Sequence, residues 1–270
     1  MFNEMMRAEI WLQDTLESQR TIDDLAERLG YSSSQIRRRF RQCFGMSPSA
    51  YRESLRLEKA ARLLVHTPHG IRDIATRCGY TNHSAFSRAF QRRFQQSPRH
   101  YRQSRRTSFR RLGITADGLA VKVRRLDEGA AVVARRYEAD TGLASAENWE
   151  ESLDGCRHVL PDALRDATAI VLLHDPTRDS RLPRLDSGVL VDPGAADSLA
   201  MPPELRLVEL PSERCACVTV DDRVALDAAV TSLLAVGLPE MGEYYNGEAI
   251  RLVRSRTGRE LQCPLVAVSR

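Results

Sequence analysis

Two stretches of this sequence gather side chains that can hydrogen-bond to a polyanion. One holds Arg37, Arg38 and Arg41; the other holds His83, Ser84, Ser87, Arg88 and Arg92. Arginine offers a planar fork of donors that matches phosphate oxygens and the O6/N7 edge of guanine two at a time. Serine and histidine add short donors of their own. No grouping of comparable quality points to catalysis. There is no Ser-His-Asp order, no His/Cys set at metal-ligand spacing and no glycine-rich phosphate loop, and His158 and His174 stand alone. Recognition is the expected chemistry, with no cofactor and no metal.

The charge distribution agrees. Residues 1–112 carry 22 Lys+Arg against 10 Asp+Glu, a net of +12; residues 113–270 carry 18 against 26, a net of −8, which together make the overall +4. Such asymmetry suits one half to a polyanion and the other to something else. No apolar run is long enough for a transmembrane helix, so no membrane partner is expected. The first residues lack a basic region followed by an apolar one, and the six cysteines are scattered without a Cys-x-x-Cys pair. A cytoplasmic location without a disulfide framework follows as an expectation. Cys215 and Cys217 share one face of a strand-like run, where core packing is the better reading.

The elements that position the basic clusters come as an internal repeat with a period of about fifty residues. Ile22-Asp23-Asp24-Leu25-Ala26-Glu27-Arg28-Leu29-Gly30-Tyr31 is echoed by Ile71-Arg72-Asp73-Ile74-Ala75-Thr76-Arg77-Cys78-Gly79-Tyr80. Phe40, Phe44, Ser47-Pro48 and Tyr51-Arg52 are echoed by Phe90, Phe94, Ser97-Pro98 and Tyr101-Arg102. In each copy a short helix sets apolar residues at i, i+3, i+4 and i+7. A glycine then turns the chain, and Ser32 or Ser33, or Asn82, caps the next helix. That helix buries Ile36, Phe40 and Phe44, or Phe86, Phe90 and Phe94, and leaves the basic cluster on its other face. An apolar stripe opposite a cationic face suits a helix that enters a major groove. Between the copies, Pro48 starts a long helix that runs to about Val65, and Pro68 and Gly70 end it. A rigid connector would set two reading heads on successive grooves of one duplex, so one chain could read two half-sites.

The region from about Ile10 to Arg105 resembles the AraC/XylS DNA-binding domain. The resemblance rests on Ile71 to Tyr80, on Ser84 to Phe94 and on Ser97-Pro98-Arg99-His100-Tyr101-Arg102. It implies an all-α, homeodomain-like double helix-turn-helix over residues 1–108, a linker over 109–118 and a second domain over 119–270. It also implies base contacts from Ser34, Arg37 and Arg38 in the first recognition helix and from His83, Ser84, Ser87 and Arg88 in the second. Arg41, Arg52, Arg62, Arg92, Arg93 and Arg102 would hold phosphates. The implied partner is double-stranded promoter DNA. The arginine-bearing segment from Gln103 to Gly118 would either lie along DNA or be mobile.

Beyond the linker, strand-like runs and helical stretches recur as β-β-α-β-β twice, an α+β arrangement. The first helix is expected at Ala146 to about Arg157 and the second at Arg223 to Val236. That order resembles the GyrI-like effector domain, with the closing Pro264-Leu265-Val266-Ala267-Val268. The resemblance implies a small lipophilic or cationic effector held by aromatic faces around a buried carboxylate. Tyr137, Trp149, Tyr244, Tyr245 and Glu248 are the candidates, with Glu138 as a second acid. Two alternatives stay open. The domain could be a hydrolase using Glu248 with Tyr244 or Tyr245, or a module that meets a protein such as RNA polymerase.

Overall fold

The computed structural model describes residues 2–111, 115, 118–137, 154–155, 157–174, 182, 184–192, 194, 201–202, 204–220, 226–255 and 258–267. The chain divides into two compact units at about Thr107–Ser108.

The first unit is all helical. Its elements are α1 (Phe2–Asp14), α2 (Ile22–Leu29), α3 (Ser33–Phe44), α4 (Pro48–His66), α5 (Ile71–Arg77), α6 (His83–Phe94) and α7 (Pro98–Arg111). Local chemistry sets most of these boundaries. Thr21 and Ser32 begin α2 and α3 with reciprocal capping boxes, through Asp24 and Gln35. Ser47 caps α4 ahead of Pro48, and the Asn82 side chain accepts from the Ala85 amide at the start of α6. Gly30, Gly45 and Gly79 all take positive φ after their helices. The helix α1 was not anticipated. The reading of residues 103–118 as a linker is corrected in part, because α7 continues through Arg111.

The two repeats build two small bundles that share α4. In the first, Met5, Ala8 and Leu12 of α1 are buried along with Leu25, Ile36, Phe40, Tyr51 and Leu55. In the second, Leu57, Ala60, Ala61 and Leu64 of α4 pack with Ile74, Ala75, Phe86, Phe90 and Tyr101. The aromatic centres are duplicated. Phe40 lies 4.6 Å from Phe44 and 5.6 Å from Tyr51, while Phe90 lies 4.6 Å from Phe94 and 5.3 Å from Tyr101.

The second unit is built on one eight-stranded antiparallel sheet. Its strands are β1 (Val121–Leu126), β2 (Gly129–Tyr137), β3 (Ala169–Leu173), β4 (Arg184–Val191), β5 (Leu205–Leu210), β6 (Glu213–Val220), β7 (Ile250–Ser255) and β8 (Gly258–Pro264). The order across the sheet is β1-β6-β8-β7-β3-β4-β2-β5. This order maps onto itself when β1–β4 are exchanged with β5–β8, so the two expected halves are present as strands. The first strand of each half pairs with the second strand of the other, β1 with β6 and β5 with β2. Neither half could therefore complete its sheet alone. The second half's helix, α8 (Leu226–Ser232), continues into a π-helical turn, Leu233–Gly237. It covers one face of the sheet, burying Val171, Leu173, Ala216, Val218, Leu252 and Leu261. The expected first helix falls almost entirely outside the described residues. Gly188 of β4 is required by close approach, since a Cβ there would sit 1.9 Å from the Val132 carbonyl oxygen.

Candidate nucleic-acid interface

Burying Ile36, Phe40 and Phe44 turns the opposite face of α3 outward. Ser34, Arg37, Arg38 and Arg41 are all exposed on it. None of these three arginines has an ion pair or hydrogen bond among the described residues. In α6, burial of Phe86, Ala89 and Phe90 leaves His83, Ser84 and Arg88 exposed and Ser87 half-buried. Each helix thus turns donors to solvent on the face opposite its buried aromatics, with Ser34 also within 3.4 Å of the Ser32 hydroxyl. In the first turn both helices lack acidic residues, which would compete with an anion at the helix N-terminus.

The arginines expected on phosphates divide. Arg41 is free and exposed. Arg92 is exposed but lies 3.1 Å from Glu53. Arg93 is half-buried, its guanidinium 4.9 Å from the centre of the Phe94 ring. Arg52, Arg62 and Arg102 are corrected. Arg52 and Arg62 are buried within the bundle. Arg52 donates to the Arg20 carbonyl, and Arg102 donates to the carbonyls of Leu64 at 3.0 Å and His69 at 2.5 Å. Burial is the first cause that lowers the pKa of both Arg52 and Arg102, with Arg56 and Arg106 respectively adding repulsion. Arg106, in the segment read as lying along DNA or mobile, donates to the carbonyls of Val65 at 2.9 Å and Thr67 at 2.5 Å. Arg56 makes the equivalent bonds in the first bundle, to Leu16 at 2.8 Å and Ser18 at 3.1 Å. These four arginines satisfy main-chain carbonyls in the segment that follows α1 and in the last turn of α4 and the segment behind it. Sequence reasoning passed over that role, although the four-residue spacing of Arg52/Arg56 and Arg102/Arg106 was its signal: each pair shares a helix face.

The effector candidates do not assemble among the described residues. Glu248 is exposed, and its own carbonyl accepts from the Tyr245 hydroxyl. Tyr245 is buried in the helix-facing core, while Tyr244 is exposed. The expectation of a carboxylate buried at Glu248 is therefore corrected, and a Glu248–Tyr245 catalytic pair loses its free hydroxyl. Tyr137 is half-buried at the end of β2. Glu138 and Trp149 lie outside the described residues.

Among the described residues of this unit the buried carboxylate is Asp186, which sequence reasoning missed. It accepts from Arg135 Nε at 2.7 Å and Nη2 at 2.8 Å, sits 2.8 Å from His174 Nε2, and also pairs with Arg206. Burial opposes its ionisation, but Arg135, His174 and Arg206 together hold it well below the usual carboxylate range. Burial lowers the pKa of His174 to about 4, with Asp186 opposing and Arg135 and Arg184 assisting. Cys215 and Cys217 are buried on one sheet face, and burial raises the Cys215 thiol to about 12. Neither is poised as a nucleophile.

Residues 25–104 match the family profile described as a helix-turn-helix domain. The chain is similar to the HTH-type transcriptional activator RhaS of Escherichia coli (strain SE11), with 39% identity over 95 residues, 35% of this chain and 34% of that protein. The RhaS of Salmonella arizonae is 38% identical over the same length and the same shares. Among solved structures, the C-terminal domain of AraT, a response regulator from Geobacillus stearothermophilus, is 35% identical. It covers 38% of this chain and 85% of that one, with a TM-score of 0.37. The chain thus spans about a third of the length of the curated relatives it matches. The duplicated heads and this match together identify residues 25–104 as a helix-turn-helix domain.

Proposed function

We propose that this chain is a sequence-specific DNA-binding transcription regulator whose two recognition helices, α3 and α6, read adjacent major-groove half-sites. The observation that carries the reading is the duplication itself. Two bundles with the same buried aromatics each turn a donor-bearing helix face to solvent. A fortuitous solvated arginine face would not recur in register with its turn glycine and cap. The relatives that share the domain are named as transcriptional activators, which supports a role at promoters. Arg37, Arg38 and Arg88 would supply base contacts together with Ser34, His83, Ser84 and Ser87, and Arg41 would supply phosphate affinity.

The second unit is the candidate sensor. Its two-fold strand order supports the GyrI-like reading, in which a small molecule bound there modulates DNA binding. Asp186 gives no support to a cationic effector, since two arginines already neutralise it.

The test is a genome-fragment binding selection on the full chain, with salt titration and an Arg37→Ala/Arg88→Ala double variant alongside. One bipartite motif, lost in the variant, is the expected result. Tight binding without a motif, equally salt-steep in both proteins, would reduce the unit to a non-specific phosphate clamp.

A further inference from the structure

Gly30 and Gly79 are equivalent turn glycines with nearly the same backbone, φ +71° and +77°, yet their surroundings differ. A Cβ at Gly30 would meet nothing within 4 Å. A Cβ at Gly79 would lie 3.0 Å from Arg56 Nε, 3.0 Å from Arg56 Nη2 and 3.0 Å from the Leu16 carbonyl oxygen. The second head's turn is thus pressed against the tail of the first bundle, and Arg56 is the side chain between them. Its guanidinium holds the Leu16 and Ser18 carbonyls and lies 5.9 Å from the centre of the Tyr80 ring, next to Gly79. Arg106 makes the same pair of carbonyl bonds at the end of α4. The two arginines therefore share a local role, and Arg56 also borders the turn of the second head.

Resting on the regulator reading, we infer that Arg56 is a specificity-determining positioning residue: it locks the second reading head onto the first and so sets which half-site separation the protein accepts. The helix α4 alone would leave the heads free to flex about its length. The Arg56–Gly79–Tyr80 contact closes the gap on one side, and the Glu53–Arg92 ion pair spans from α4 to α6 on the solvent side. An exposed ion pair of that kind contributes little stiffness. The contact at Arg56 is half-buried, its two carbonyl bonds fix the guanidinium to the first bundle, and a Cβ at position 79 would be crowded against it at 3.0 Å. Adding one base pair between half-sites moves the second site by about 3.4 Å along the duplex and about 35° around it. A locked pair of heads cannot follow that displacement, whereas an unlocked pair can.

The experiment measures the affinity of the full chain for duplexes carrying its selected bipartite site with zero, one or two base pairs inserted or removed between the half-sites. The wild type is expected to lose at least about tenfold on a one-base-pair change, the scale of a mismatched contact. Arg56→Lys, which keeps the charge and loses the fork, is expected to lose less than about threefold from its own optimum. Arg106→Lys is expected to keep the wild-type profile. Tyr80→Leu removes the ring and leaves both carbonyl bonds, so it reads out the same lock if Arg56→Lys folds poorly. It is expected to flatten the profile too. A profile as sharp in Arg56→Lys and Tyr80→Leu as in the wild type overturns the inference and leaves the regulator reading intact. Equal flattening by Arg106→Lys also overturns it, by making the effect one of general loosening. A wild type that selects no bipartite site overturns both.

Discussion

Arg52 and Arg102 occupy equivalent places in the two repeats, and each turns inward to donate to an equivalent main-chain carbonyl, that of Arg20 for one and of His69 for the other. Each also reaches a second oxygen, the Thr15 hydroxyl for Arg52 and the Leu64 carbonyl for Arg102. With Arg56 and Arg106, they tie the helix that opens each bundle to the helix that closes it.

Arg52→Ala and Arg102→Ala are therefore expected to act on stability. Each loses charge-assisted hydrogen bonds worth roughly 1.5–3 kcal/mol and strands main-chain carbonyls, that of Arg20 in one case and those of Leu64 and His69 in the other. The salt dependence of DNA binding should stay as in the wild type. Arg41→Ala should do the reverse, leaving thermal stability unchanged within about 0.5 kcal/mol and lowering the log–log salt slope by about 1. Thermal melts and salt titrations on the three variants separate the two roles; a reduced slope in Arg52→Ala with an unchanged melt would put Arg52 back on DNA.

Base reading should reside in the free donors. Arg37→Ala and Arg88→Ala are each expected to cost about 1–3 kcal/mol on the selected site and to relax the preference at one base position, a different one for each head. Selection repeated with each variant shows it as loss of information at one position of the motif. A uniform weakening across all sequences would instead assign these arginines to phosphate.

The two turn glycines should not tolerate alanine alike. Gly30→Ala pays only for left-handed backbone, about 1–2 kcal/mol. Gly79→Ala adds a 3.0 Å contact with the Leu16 carbonyl oxygen that the backbone must shift to relieve, and should be the more destabilising by about 1 kcal/mol or more. Chemical denaturation of both variants orders them, and equal losses would mean that the second turn has room to relax.

Acid should weaken the second unit in two stages. His174 is held at about 4 in the folded chain against an ordinary 6.5. Between those values the unfolded chain takes up a proton that the folded one refuses, so stability falls as pH drops through that window, by up to about 3 kcal/mol. Asp186 is also shifted down, well below its ordinary 3.8, so its contribution is present above that pH and is lost as pH falls beneath it. His174→Gln should remove the first stage and leave the second, in denaturation followed by the β-sheet circular dichroism signal. A wild-type midpoint that stays flat from pH 6.5 to 4 would contradict the burial of a neutral imidazole.

The two reading heads were legible in the sequence because their signals are local. Apolar spacing at three and four residues, a glycine after each short helix, and Ser or Asn ahead of the next specify a helix-turn-helix within about twenty residues. The same period placed the free donors of α3 and α6 outward, opposite Phe40 and Phe90. The strands were legible too, since short apolar runs between turn residues announce themselves.

Tertiary structure alone decided which arginines were available. Arg41 and Arg52 look alike as basic residues on helices near a recognition element, and only the packing of α1 against α4 brings carbonyls within reach of one of them. It also decided that each half of the sheet lends its first strand to the other, because antiparallel pairing between β1 and β6, or β5 and β2, joins residues 71 to 97 positions apart, which no local pattern encodes. For the same reason the buried acid proved to be Asp186 and not Glu248. A carboxylate is buried where arginines from β2 and β5 converge on it, and that convergence exists only once the strands are side by side.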